Sequence, residues 1–142
     1  MKPEELMIGD WVMWNGKPVQ VASVSGVKYS FGQIDVTLAH CSDEKILETH
    51  DIKSIQPIPI TPEILEKNGF VKYDGGYKFF KSNDENYYFG FESIFFNEET
   101  NLMNVTKEMC SGKQTSIKGY FNYVHKLQHA LKLCGIDKTI EL

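Results

Sequence analysis

The stretch Ile8-Gly9-Asp10-Trp11-Val12-Met13-Trp14-Asn15-Gly16-Lys17-Pro18-Val19-Gln20-Val21-Ala22-Ser23-Val24 decides how the first part of this chain folds. Its opening half is aromatic and β-branched, which suits a pleated strand. Asn15-Gly16 supplies the residue pair that most readily takes the left-handed backbone of a two-residue hairpin turn. Val19, Val21 and Val24 then mark a second strand. Trp11 and Trp14 are three apart, so on a strand they point to opposite faces and at most one belongs in a core. Trp14 is the candidate for an interface.

Outward from this hairpin, Ile34 to Leu38 alternates apolar and polar with period two, and Ile46-Leu47 and Ile52 to Ile55 add short apolar pieces. Five short strands in about fifty residues predict a small barrel. The phrase from Ile8 to Val12, followed by Asn15-Gly16-Lys17-Pro18-Val19-Gln20-Val21, resembles the opening of SH3-like and KOW-type barrels. The resemblance implies a fold rather than a function, because such barrels bind RNA, bind peptides or serve structural roles.

Pro57 and Pro59 hold residues 55–60 extended and place a module boundary near 56–61, dividing a barrel over 1–58 from an α+β module over 59–142. Thr61, Pro62, Glu63 and Gly69 have the order of a cap, a first helical position, a first-turn acid and a stop, which predicts a short helix. Residues 70–96 hold 11 of the 18 aromatics. Asp74-Gly75-Gly76 turns one hairpin there, Tyr87 to Phe91 and Ile94 to Phe96 read as strands interrupted at Glu92-Ser93, and Leu102 to Thr106 as a last one. Such an antiparallel meander needs a cover on one face. Tyr120, Tyr123, Val124, Leu127, Leu131 and Cys134 recur at three- and four-residue intervals, predicting a covering helix over 117–134 that Gly135 ends. The fold class expected is therefore β-rich α+β: an SH3-like small β-barrel, then a meander sheet packed against a C-terminal helix. The phrases from Ile60 to Phe70 and from Tyr123 to His129 resemble an uncharacterised family of small proteins from gut-bacterial genomes and mobile elements. That resemblance brings no functional residues with it.

The net charge is −4, and all 15 basic residues are lysine. Arginine is the usual fork for phosphate and guanine, so its absence weighs against nucleic-acid recognition. Residues 111–142 nevertheless carry a net +3, which makes Lys126 and Lys132 on the last helix the candidate polyanion contacts. A solvated helix face explains the same charges. Three cysteines without paired spacing fit a reducing compartment. No leader and no apolar run of membrane length is visible, so a cytoplasmic protein without a membrane partner is expected.

No chemistry assembles. His125 and His129 stand four apart on a helix and could share a metal, but no third ligand sits on the next turn, and surface histidines are the better account of them. His40, Cys41 and His50 offer a nucleophile and a base with nothing to fix their geometry. The acidic pairs Asp43-Glu44, Asp84-Glu85 and Glu98-Glu99 lie in predicted turns, and Ser111 to Thr115 lacks the form of a phosphate loop. The aromatics are the most suggestive feature. Tyr88, beside Tyr73 or Tyr77, is expected on an exposed sheet face where a tyrosine can stack on a base or fill a partner's pocket, although core packing accounts for most of these rings.

The expectation is a non-catalytic binding protein with no catalytic residue, cofactor or metal, acting through Trp14, Tyr77, Tyr88, His125, Lys126, His129 and Lys132. The partner expected is another protein or a second copy. Alternatives are nucleic-acid binding through the barrel and the basic helix, and a mobile-element protein that binds a host defence protein or a nucleotide signal.

Overall fold

A computed structural model describes residues 2–25, 35–39, 47–82 and 90–142. It is β-rich, with two antiparallel five-stranded sheets and a C-terminal helix. Contacts divide the chain into two units, Met1–Pro59 with Tyr123–His125, and Ile60–Asn122 with Lys126–Leu142.

In the first unit, β1 (Trp11–Trp14) and β2 (Lys17–Ser25) form the hairpin expected from Asn15-Gly16. Asn15 and Gly16 both take positive φ, 47° and 72°, as a twisted two-residue turn requires. β3 (Asp35–Ala39), β4 (Leu47–Asp51) and β5 (Ile55–Pro57) complete a sheet of order β4-β3-β2-β1-β5. Pro57 is tolerated because β5 is an edge. A 3-10 turn, Ile52–Ser54, joins the two edge strands, and there the sequence had predicted strand. Asp51 caps it by accepting from the Lys53 N–H at 2.9 Å.

That short link forces curvature. The edges of a flat five-stranded sheet lie about 19 Å apart, whereas Asp51 and Ile55 can stand at most about 15 Å apart along the chain. Side chains report the same curl: the rings of Trp14 on β1 and His50 on β4 stack at 4.1 Å, although two strands separate theirs. The concave side holds Leu6, Val12, Val19, Val21, Val36, Leu38, Ile52 and Ile55, with Trp14 and Val24 packed against it. The ladder does not close, however. β4 and β5 do not pair among the described residues, so the closed barrel expected from sequence is corrected to an open, curled sheet.

In the second unit, α1 (Pro62–Lys67) starts and stops where Thr61, Pro62 and Gly69 predicted. The Thr61 hydroxyl oxygen accepts from the Ile64 N–H at 3.4 Å. Thr61→Ala is therefore expected to cost about 1 kcal/mol in urea unfolding. Five strands follow as a meander: β6 (Val71–Tyr73), β7 (Gly76–Ser82), β8 (Gly90–Asn97), β9 (Leu102–Met109) and β10 (Gln114–Tyr120). β8 runs unbroken through Glu92-Ser93. The sequence predicted an interruption there, but Glu92 turns inward to an ion pair with Lys107 at 3.1 Å and the ladder continues.

The predicted helix over 117–134 is also corrected. α2 spans Val124–Leu133, and residues 117–120 belong to β10. Gly119 would weaken a helix interior by about 1 kcal/mol, and pairing with β9 takes the segment instead. Gly135 does end the helix, at φ 68°, with the Ile136 N–H returning to the Leu131 carbonyl.

The chain after α2 closes the inner face of the sheet. The Cys134 thiol donates to the Val105 carbonyl at 3.5 Å, and the Lys138 ammonium lies 4.2 Å from the centre of the Phe79 ring. The Asn68 side chain then pins the C-terminal segment, donating to the Glu141 carbonyl and accepting from the Glu141 N–H. Tyr77, Ile94, Phe96, Met103, Val105, Leu127, Ala130, Leu131 and Cys134 are all buried.

Candidate functional site

The ladder fixes which side chains share the outer face of the second sheet. Residues opposite one another in an antiparallel ladder point to the same side. One row is Val71, Lys78, Phe95, Asn104 and Lys118, and the next is Tyr73, Gly76, Asn97, Leu102 and Tyr120. Further along the strands lie Phe80, Ser93, Thr106 and Ser116, then Ser82, Phe91, Glu108 and Gln114.

The inner rows, with Tyr77, Phe96 and Met103, are buried. The outer rows keep large apolar groups in solvent: Val71 is 61% exposed, Phe80 47%, Phe95 42% and Tyr120 68%. Tyr73 meets Phe95 edge-on at 6.4 Å, and Phe80 stacks on Phe91 at 5.6 Å. Beside these pairs, on β9 and β10, runs a small hydroxyl–amide network. The Ser116 hydroxyl donates to Asn104 Oδ1 at 2.9 Å and lies 3.0 Å from the Thr106 hydroxyl. Among the described residues the charges in these rows are Lys78, Lys118 and, two rows from Phe95, Glu108. An aromatic surface with a polar centre and two lysines can stack planar groups and accept hydrogen bonds.

No protein-family model matches the chain, and no curated protein or solved structure is significantly similar to it.

The residues singled out from sequence fall in scattered places. Tyr88 lies outside the described residues, as do His40 and Cys41. Tyr77 is corrected: at 1% exposure it is a core residue, its hydroxyl donating to Glu66 Oε1 at 3.2 Å. Burial, reinforced by the Glu66 carboxylate, pushes its phenol above the ordinary value. A raised folded-state value means the stability it carries is complete below pH about 10 and is lost as pH rises further. Urea unfolding is thus expected to weaken above that pH more steeply for the native chain than for Tyr77→Phe.

His125 is likewise no surface histidine. It is 1% exposed and stacks on Tyr123 at 5.8 Å. His129, four residues on, is half-buried. No cluster of three or more metal-ligating side chains occurs among the described residues. Lys126 is half-buried and Lys132 exposed. Trp14 is half-buried at the rim of the first sheet against His50.

Sequence reasoning missed Phe95, Phe80 and Tyr120. The signal was present, because alternation carried straight through Glu92-Ser93 places Phe91, Ser93 and Phe95 on one face. No helix among the described residues is long and apolar enough to cross a membrane.

Proposed function

We propose that this is a non-catalytic binding protein that docks a protein partner on the outer face of its second sheet. The observation that carries the reading is the exposure of Val71, Phe80, Phe95 and Tyr120 on one face of one sheet. Single exposed apolar groups are ordinary, but a contiguous set with aromatic members marks an interaction surface. Asn104 and Ser116, half-buried and exposed on the same face, supply the directional contacts that such a patch needs for specificity, and the buried Thr106 hydroxyl holds Ser116 in place.

Affinity capture from native extract tests the reading, comparing the parent with a Phe95→Ser, Tyr120→Ser variant of unchanged unfolding midpoint. A polypeptide held by the parent and lost from the variant supports it. Equal retention by both contradicts it.

One observation favours nucleic acid as a second reading. Lys78 and Lys118 stand in the same row as Phe95 and flank it, where phosphates would run if a base stacked on the ring. Two phosphate contacts on a single strand give a salt slope of about −1.4 in log K against log salt. An anisotropy titration with a single-stranded oligonucleotide that is flat in salt contradicts this alternative.

The first unit we read as SH3-like. Its strand order, and the short helical turn linking its edge strands, support that resemblance. The free thiols of Cys110 and Cys134 support a reducing, cytoplasmic setting.

A further inference from the structure

The two edges of the second sheet differ. β6 is three residues long, which is one way proteins blunt an edge. β10 is seven residues long, is exposed along most of its length, and pairs with β9 in an unbroken register. It contains no proline and one charged residue, Lys118. Among the described residues nothing pairs with its other side.

The hairpin turn fixes which backbone groups face that open side. The Met109 N–H donates to the Lys113 carbonyl at 2.9 Å, and the Gly112 N–H returns to the Met109 carbonyl at 2.8 Å. Hydrogen-bonded and non-hydrogen-bonded pairs alternate along an antiparallel ladder. Counting from Met109 and Lys113, the residues that bond back to β9 are Thr115, Ile117 and Gly119. Gln114, Ser116, Lys118 and Tyr120 therefore direct both N–H and C=O outward.

We propose that two copies of this chain pair antiparallel through this edge, about a two-fold axis at Ile117, joining their second sheets into one. Only even-numbered residues offer outward groups, so hydrogen-bonded partners across the seam must both be even-numbered. With the axis at Ile117, Gln114 faces Tyr120 of the second copy and Ser116 faces its Lys118. Every outward N–H and C=O of the strand then finds a partner. Ile117 meets its own equivalent on the inner side, covering a side chain that is half-exposed in one copy. No like charges stand directly opposite, because Lys118 faces a serine and the two lysines are only diagonal neighbours. The edge is thus self-complementary in register and in charge, which is what an isologous contact demands. The proposal is independent of what the outer face binds.

Light scattering during size-exclusion chromatography of the full chain tests it, with circular dichroism to check folding. The native chain is expected to be a dimer. Ser116→Pro removes one outward N–H and none of those bonded to β9, so it is expected to give a folded monomer. Two further variants decide the matter even if the proline variant misfolds. Ser116→Lys sets a lysine opposite Lys118 twice by symmetry, and is expected to weaken the dimer about threefold to tenfold. Ser116→Glu sets opposite charges together at the same two places, and is expected to tighten it by a similar factor. A chain that stays monomeric up to its solubility limit overturns the proposal. So does a dimer that the lysine and glutamate variants leave unmoved, or a monomer whose β10 edge takes an extended peptide from another protein.

Discussion

Gly76→Ala is expected to destabilise the second unit by about 3 kcal/mol or to prevent it from folding. A Cβ at this position would lie 1.9 Å from the Phe96 carbonyl oxygen, 2.9 Å from its carbon and 3.1 Å from Asn97 Cα. All three are backbone atoms of the strand paired with β7, so no rotamer change makes room. The residue occupies the first pair of the β7–β8 ladder, opposite Asn97, and displacing it disturbs the register that sets both faces of the sheet. Gly16→Ala is the informative contrast. There a Cβ meets nothing within 4 Å, and the cost is only that of the left-handed backbone at φ 72°, about 1–2 kcal/mol. Urea unfolding of both variants measures the difference. A Gly76→Ala chain as stable as the parent would mean that the β7–β8 register is wrong.

The second large effect concerns the buried side of α2. Leu131 is 1% exposed on α2, and Leu131→Ala is expected to cost about 2–5 kcal/mol through lost burial and the cavity left behind. Alanine is the best helix former, so the loss cannot come from helix propensity. Leu133 lies two residues on but is 71% exposed, and Leu133→Ala is expected to change stability by less than about 0.5 kcal/mol. Thermal or urea unfolding monitored by far-ultraviolet circular dichroism separates the two. Similar costs at both positions would mean that α2 is rotated about its axis relative to the face described.

These contrasts also mark what could be read in advance. The Asn15-Gly16 hairpin, the Thr61 cap and the Gly135 stop were legible because each depends on the backbone preference of one or two residues and little else. The boundary between β10 and α2 was not. Tyr120, Tyr123, Val124 and Leu127 keep helical spacing across it, and a pairing with β9 from a distant part of the chain overrides that pattern. Closure of the first sheet was a similar case, since strand count does not determine whether the two edges meet.

The candidate site was half legible. Tyr88, the tyrosine expected on an exposed face of the meander, lies outside the described residues, and alternation cannot say which of two aromatic faces is buried. Tyr77 fell on the covered side and Phe95 on the open one. His125 was misjudged for a related reason. Helical spacing marks a residue's angle on α2, but not that the first turn of the helix is held by Ile58, whose carbonyl accepts the Val124 N–H at 2.9 Å.

Hydroxyl-radical footprinting, on the protein alone and on the protein isolated with a bound partner, tests most directly whether the outer face is the docking surface. Phe95, Phe80 and Val71 are expected to be oxidised readily in the isolated protein, while Tyr77 and Ile94 are spared, and the first three are expected to become protected when the partner is bound. Protection of Phe95 in the isolated protein, or undiminished oxidation of all three in the complex, would contradict a docking role for this face.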